Sequence, residues 1–414
     1  MERTSQNILF ISMVMGIVSI TYFFSLVLVL PLAITTLLSA GFTIYIFVWI
    51  RRNSEPEVRL LSLKSKVVVY GVVMLGLYLL VAGAQQDAEK YGGWDAWWFW
   101  NYHAKYLASQ QLWQEAYEIP YPGLLGARVA HSDYPVMLPA TVGFFWRLFS
   151  SESNIIPFAV GFVFTCLIPL LIFFEIYRKN LAVASIVFLS IANHAFFVKV
   201  GVTQMADIVL AFFFLAAFVS FHHFQESRRP IYLTFCGIML GSCIWLKNEG
   251  LMLSVVFVLF MFKELLPVKT LFRFLLGLLP FLLAYALFKI GYAPANDIIA
   301  AQGPSSFSKL TDLARHDFVY EGVMKSIDVN YPEMKAILVF YVVVCAIQRD
   351  IHLRYFCVIL VCMIGYDLGY ILSPHNTEWH VNTSIDRVLM HLIPATIYIT
   401  SLKLTDIQVR SATT

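Results

Sequence analysis

Residues 8–50 read ILFISMVMGIVSITYFFSLVLVLPLAITTLLSAGFTIYIFVWI, without a single Asp, Glu, Lys or Arg. A helix rises about 1.5 Å per residue and the hydrocarbon core of a bilayer is about 30 Å thick, so about 20 apolar residues cross it once. This stretch is long enough for two crossings, and Pro31 near its middle marks a tight turn between them. Its length, and the lack of a small-residue cleavage site, set it apart from a secretory signal peptide. Residues 8–50 are expected to form two spans.

Composition extends that reading to the whole chain. Of 414 residues, 59% are hydrophobic and 13% charged, with a mean hydropathy of +0.73; soluble domains are about 25% charged. A soluble fold of this size keeps a large exterior and has no means of covering so much apolar surface. A cytosolic or secreted enzyme is excluded. The net charge of +3 is small and its basic residues are scattered, which speaks against nucleic acid as a partner. Cys166, Cys236, Cys243, Cys345, Cys357 and Cys362 all fall in apolar runs and read as small core residues, not as disulfides or thiolate ligands.

Further apolar runs lie at 67–84, 155–177, 181–198, 205–222, 231–247, 250–263, 272–290, 335–348, 354–372 and 388–402. With the first two they predict an all-α polytopic bundle of about twelve transmembrane helices. Its parts are an N-terminal transmembrane hairpin and basic loop (1–66), a main membrane domain (67–402) and a tail (403–414). Basic residues concentrate on one side: Arg51, Arg52, Arg59, Lys64 and Lys66 after the second span, then Arg178/Lys179, Arg228/Arg229, Lys263/Lys269/Arg273 and Arg349/Arg354. By the positive-inside rule that side and both termini are cytoplasmic. The outer side carries the long segments, about 85–154, 292–333 and 373–387, and function is sought there. No internal repeat of the kind found in secondary transporters is visible.

The first outer loop contains YGGWDAWWFWNYHAKYLASQQLW (91–113). Gly92-Gly93 breaks the chain, and an aromatic amphipathic helix is expected from Asp95, lying in the headgroup plane. Trp94, Trp97, Trp98, Trp100 and Trp113 fit an aromatic belt, and Asp95 fits a helix cap. A carboxylate held among aromatics at a membrane surface also suits a general base. The loop continues with HSDYPVMLPATVGFFWRLF (131–149). Asp133 precedes Tyr134-Pro135 and an apolar segment too short to span, which predicts a second interfacial or re-entrant helix capped by Asp133. His131 and Asp133, with Asp95, form a weak alternative ligand set for a divalent metal such as Mg or Mn.

Charges also punctuate the spans. Asp207 opens one apolar run, and WLKNEG (245–250) places Lys247 and Glu249 inside another. Such groups are costly at membrane depth and mark a site or a turn. Asp367 is read as a hydrogen-bonding partner of a neighbouring helix. Before the last span, SPHNTEWHVNTSIDRVLMHLIP (373–394) gathers His375, His380 and Arg387, with His391 one helical turn behind Arg387. Arginine grips phosphate oxygens with a permanent charge; a snorkelling arginine among surface histidines is the plainer alternative.

Three stretches together, GWDAWWFWNYHAK with HSDYP, WLKNEG, and WHVNTSIDRVLMHLIP, resemble integral-membrane glycosyltransferases of the GT-C superfold, in particular the family 39 or protein-mannosyltransferase-like bacterial enzymes. The resemblance implies a polyprenyl-phosphate sugar donor, a lipid, glycan or protein acceptor hydroxyl, and transfer on the periplasmic face of a bacterial inner membrane. It implies catalytic carboxylates at Asp95 (the base), Asp133 and Asp207. Donor phosphate binding then falls to Arg387, with Lys247, His375, His380 and His391 as helpers, and sugar or acceptor contacts to Trp97, Trp98, Tyr134 and Glu249. It carries over no metal. A multi-span transporter or flippase, a lipid-linked oligosaccharide polymerase or ligase, and a non-catalytic envelope scaffold remain as rival readings.

Overall fold

A computed structural model of the chain describes residues 1, 3–53, 62–117, 132–303, 305–348 and 352–411. The N-terminal hairpin is α1 (Arg3–Val27) and α2 (Leu32–Asn53), and Val29, with φ +53°, turns the chain before Pro31 as the sequence predicts. Next come α3 (Leu63–Asp87), α4 (Asn101–Ala108), α5 (Met137–Phe149), α6 (Ile155–Ile176), α7 (Leu181–Ala192) and α8 (Ala195–Val202). The centre of the chain is α9 (Asp207–Ser227), α10 (Ile231–Leu246), α11 (Asn248–Phe260), the short α12 (Phe262–Leu265) and α13 (Val268–Gly291). The remainder is α14 (Asp297–Ala300), α15 (Ser305–Thr311), α16 (Leu313–Asn330), α17 (Met334–Gln348), α18 (His352–Leu372), α19 (Thr377–Met390) and α20 (Ile393–Ser411).

Among the described residues, 8 helices are long and apolar enough to cross a membrane, or 9 if α7 and α8, bent by 59°, form one span. The expectation of twelve is corrected. The runs at 231–247, 250–263 and 335–348 fold as α10, α11 and α17, of 16, 13 and 15 residues. At about 1.5 Å per residue neither α10 nor α11 reaches the roughly 30 Å of a bilayer core, and the described part of α17, which borders the undescribed residues 349–351, falls short of it as well. Hydropathy alone cannot separate a lipid-facing span from a short helix buried among others. α10 is such a helix, buried along almost all of its length, and α11 folds back on it at Lys247, with Ser254 Oγ donating to Leu240 O at 3.0 Å while Val255 and Leu259 stay exposed.

α9 is the axis, buried from Asp207 to His222, while α2 and α3 lie at the periphery. α1 is packed into the body: Tyr22 donates to Leu107 O at 2.6 Å, and the Phe23 ring meets Trp113, Trp245 and Phe288. Trp100 and Trp113, expected in the aromatic belt, are buried instead, while Trp94 and Trp97 are exposed. α5 has the expected shortness but most of it is buried rather than interfacial. The long segments at 292–333 and 373–387 are also largely helical. α16 lies along α19, where Tyr331 donates to Asp386 O at 2.8 Å.

The two ends of the bundle differ in chemistry. At one end Lys179 meets Glu226 and Asp406, Arg354 meets Glu264 at 2.6 Å, and His223 meets Glu175. The expected basic clusters lie there; Arg59 and Arg349 are outside the described residues. The outer-loop candidates collect at the opposite end.

Candidate functional site

The site is built from a loop, a helix start, a helix break and a helix end. The loop comes first. Gly92 has φ +74°, where a Cβ would lie 2.6 Å from Thr203 O; only glycine accepts both conditions. Gly93 N donates to Thr203 O at 2.9 Å, and Asn101 Nδ2 donates to Gln204 Oε1 at 2.8 Å. These bonds pin the loop to the α8–α9 junction. Residues Ala96–Trp100 then form a π-helical turn, a rare geometry often met at functional sites, before α4 continues. Asp95 precedes that turn, but its side chain makes no capping bond. It turns to Arg387 instead, accepting from Nη1 at 2.6 Å.

Arg387 stands in the last turn of α19, where a cation complements the helix dipole. Its Nη1 is also 3.5 Å from Asp207 Oδ2 and 3.1 Å from Met205 Sδ, and its Nη2 donates to Thr383 O at 3.3 Å. Asp207, the first residue of α9, is 2% exposed. Its Oδ1 accepts from Lys247 Nζ at 2.9 Å and contacts His391 Nε2 at 2.9 Å. His391 sits fully buried at the break between α19 and α20, with Nδ1 2.8 Å from the Tyr366 hydroxyl. A ring protonated on Nε2 satisfies both contacts, since carboxylates only accept and the tyrosine can donate.

Lys247 lies in extended backbone between α10 and α11. Its Nζ is 3.4 Å from Glu249 Oε1 and 5.7 Å from the centre of the Tyr134 ring. Burial by itself would pull the ammonium down, but Asp207 and Glu249 outweigh it and hold the group above its ordinary value. For Glu249 burial would raise the carboxyl; the attraction of Lys247 and the other donors around it leaves it lowered. Tyr134 donates to Glu249 Oε1 at 2.8 Å, and burial, then Glu249, pushes its hydroxyl well up.

Asp133 is not the cap of α5, whose preceding residue is Val136. It accepts from Asn248 Nδ2 and Asn296 Nδ2, each at 2.7 Å, and Lys289 reaches its backbone carbonyl. Through Asn248, next to Lys247 and Glu249 in the chain, it adjoins the main cluster. His375 and His380 stand further out. His380 Nδ1 is 2.9 Å from Ser373 Oγ, and its ring packs on Tyr370, His375 and Trp379. Trp97 and Trp98 form a ring cluster with Trp94 beside Asp95 in the chain.

The described residues do not fit a metal. No group of three or more His, Cys, Asp or Glu side chains converges among them, and Asp95, Asp133 and Asp207 each face a cation. His131 lies outside the described residues. Asp367 Oδ1 has no hydrogen-bond partner among the described residues, contrary to the expected helix-to-helix bond.

Several members of this cluster escape sequence reading. Lys289 carries a signal, a charge near the end of an apolar run, and Asn248 sits inside WLKNEG. Tyr366 and Met205 carry none, being unremarkable residues in apolar surroundings until the fold sets them against His391 and Arg387. No protein-family model matches this chain, and no curated protein or solved structure matches it either. Helix length and hydropathy define the class: an integral, multi-pass, all-helical membrane protein.

Proposed function

We propose that the protein is a GT-C-type membrane glycosyltransferase that moves a sugar from a polyprenyl-phosphate donor to an acceptor hydroxyl on the non-cytoplasmic face. The observation that carries this reading is the Asp95–Arg387 pair, a loop carboxylate and a helix-end guanidinium 2.6 Å apart and part-exposed, backed by buried Asp207. An acceptor alcohol is a weak nucleophile and needs a base. A departing lipid phosphate needs a fixed cation. Both lie in one place.

In the proposed step Asp95 takes the acceptor's hydroxyl proton as its oxygen bonds to the anomeric carbon. The bond from that carbon to the phosphate oxygen breaks, and its electron pair leaves with the polyprenyl phosphate. The transition state has oxocarbenium character, as in glycoside hydrolysis, and a single displacement inverts the centre. Arg387 stabilises the leaving phosphate. Asp207, with Lys247 and His391 behind it, positions Arg387 rather than meeting substrate, because it is buried under three donors.

The test incubates the purified protein with several polyprenyl-phosphate sugars and membrane extract, with mass spectrometry of labelled products. Asp95→Asn should keep its thermal melting in detergent and lose transfer by about 10²–10⁴-fold. Wild-type transfer by that variant, or no product from any donor, overturns the reading. A second reading has its own support: α7–α8 is bent by 59° and α10–α11 breaks at a buried lysine, and broken helices with charges at the break also build transporter sites. Substrate counterflow in proteoliposomes without covalent product would favour it.

A further inference from the structure

We infer that the Asp95–Arg387 pair is a latch which the donor's phosphate opens, so that the base is unmasked only in the donor-loaded protein. The inference rests on the glycosyltransferase reading and deepens it. In the structure the two groups block each other. A carboxylate accepting a guanidinium bond at 2.6 Å has spent a lone pair on it, and a guanidinium facing two carboxylates has fewer donors left for a phosphate. Neither proposed role operates until the pair separates.

The two carboxylates at Arg387 are not equivalent, and the asymmetry says which one leaves. Asp207 is held by Lys247 and His391 at 2.9 Å each and its side chain is 2% exposed. The Asp95 side chain is 34% exposed, stands before a π-helical turn and makes no capping bond that would fix it. Asp207 and Thr383 O therefore keep Arg387 in place when Asp95 is displaced. A phosphate offers the guanidinium two oxygens at once and takes Asp95's position with better geometry. Asp95, released within reach of the anomeric centre, can then accept the acceptor's proton. Donor binding precedes acceptor activation.

The probe is farnesyl phosphate, which carries the lipid and phosphate but no sugar. It is titrated into detergent-purified protein and followed by tryptophan fluorescence, since Trp94, Trp97 and Trp98 adjoin Asp95. Removing a carboxylate that competes for Arg387 should tighten binding: Asp95→Asn, and Asp95→Ala as the backup should the first not fold, should bind about two- to five-fold more tightly than wild type. Arg387→Ala should bind at least about ten-fold more weakly. Glu152→Gln, which removes a carboxylate paired with Lys105 on the surface of the same end, controls for general charge and should leave affinity unchanged. If the Asp95 variants bind equally or more weakly while Arg387→Ala still loses affinity, the latch is wrong and the phosphate role of Arg387 stands. Equal tightening in Glu152→Gln also overturns the latch. Unchanged binding by Arg387→Ala overturns the donor assignment itself.

Discussion

Asp95 and Asp207 share a cation yet are expected to respond oppositely to mutation. Asp207→Asn leaves Lys247 and Arg387 facing a neutral amide in a buried place, and breaking a buried pair from one side costs about 3–5 kcal/mol; its melting temperature in detergent should fall sharply. Asp95→Asn acts on a part-exposed pair worth about 0–1 kcal/mol, so melting should barely move while transfer collapses. If both variants melt alike, the division between positioning and catalytic carboxylate fails. A pH profile follows from Lys247 and Glu249. Glu249 is lowered below its ordinary 4.5, so the stability it contributes is complete above that value and is lost as pH falls through the lowered one. Lys247 is raised above 10.5, so its contribution is complete below 10.5 and is lost as pH rises past the raised value. Thermal stability should therefore show a plateau between those limits; Glu249→Gln should lose part of the acid-side fall, and an unaltered fall would dismiss the assignment. At this scale the sequence names the charges and is silent about who holds whom. Asp95 and Arg387 are 292 positions apart, and no local pattern encodes their contact.

The break between α10 and α11 is the element that brings Lys247 to Asp207. It depends on Gly250: a Cβ there would lie 1.8 Å from Cys243 O, so α11 folds back onto α10 only because the side chain is absent. Gly250→Ala is expected to push the helices apart, at the roughly 1–3 kcal/mol typical of overpacking, and to carry Lys247 away from Asp207. The check is a paired measurement of melting temperature and transfer rate, in which both should fall; a neutral result would show that the break is set elsewhere. WLKNEG announces an interruption in its sequence, since charge and glycine interrupt an apolar run. That the interruption joins two short helices, one of them buried, and not two membrane-length ones, is invisible to hydropathy, which measures composition without knowing what lies alongside.

Across the whole molecule, the acid–base cluster and the basic clusters occupy opposite ends, as positive-inside sorting requires if the cluster faces outward. With native cysteines replaced, Lys105→Cys should react with a membrane-impermeant maleimide from the non-cytoplasmic side and Ser227→Cys only from the cytoplasmic side. Labelling of both from one side would contradict the arrangement. The α10–α11 hairpin leaves this orientation unchanged, because the pair starts and finishes at the same end.

The sequence by itself determined the solvent, the helical class, the turn at Pro31 and the short list of charges worth following, because each depends on local composition and on the length needed to cross a bilayer. Only the tertiary structure decided the number of membrane-length helices, the burial of Trp100 and Trp113, the placement of Asp133 against Asn248 and Asn296, and the clasp of Arg387 by one fixed and one releasable carboxylate. Those are matters of which helices become neighbours. Neighbourhood arises from packing among residues hundreds of positions apart, and the pattern along any one stretch of chain does not contain it.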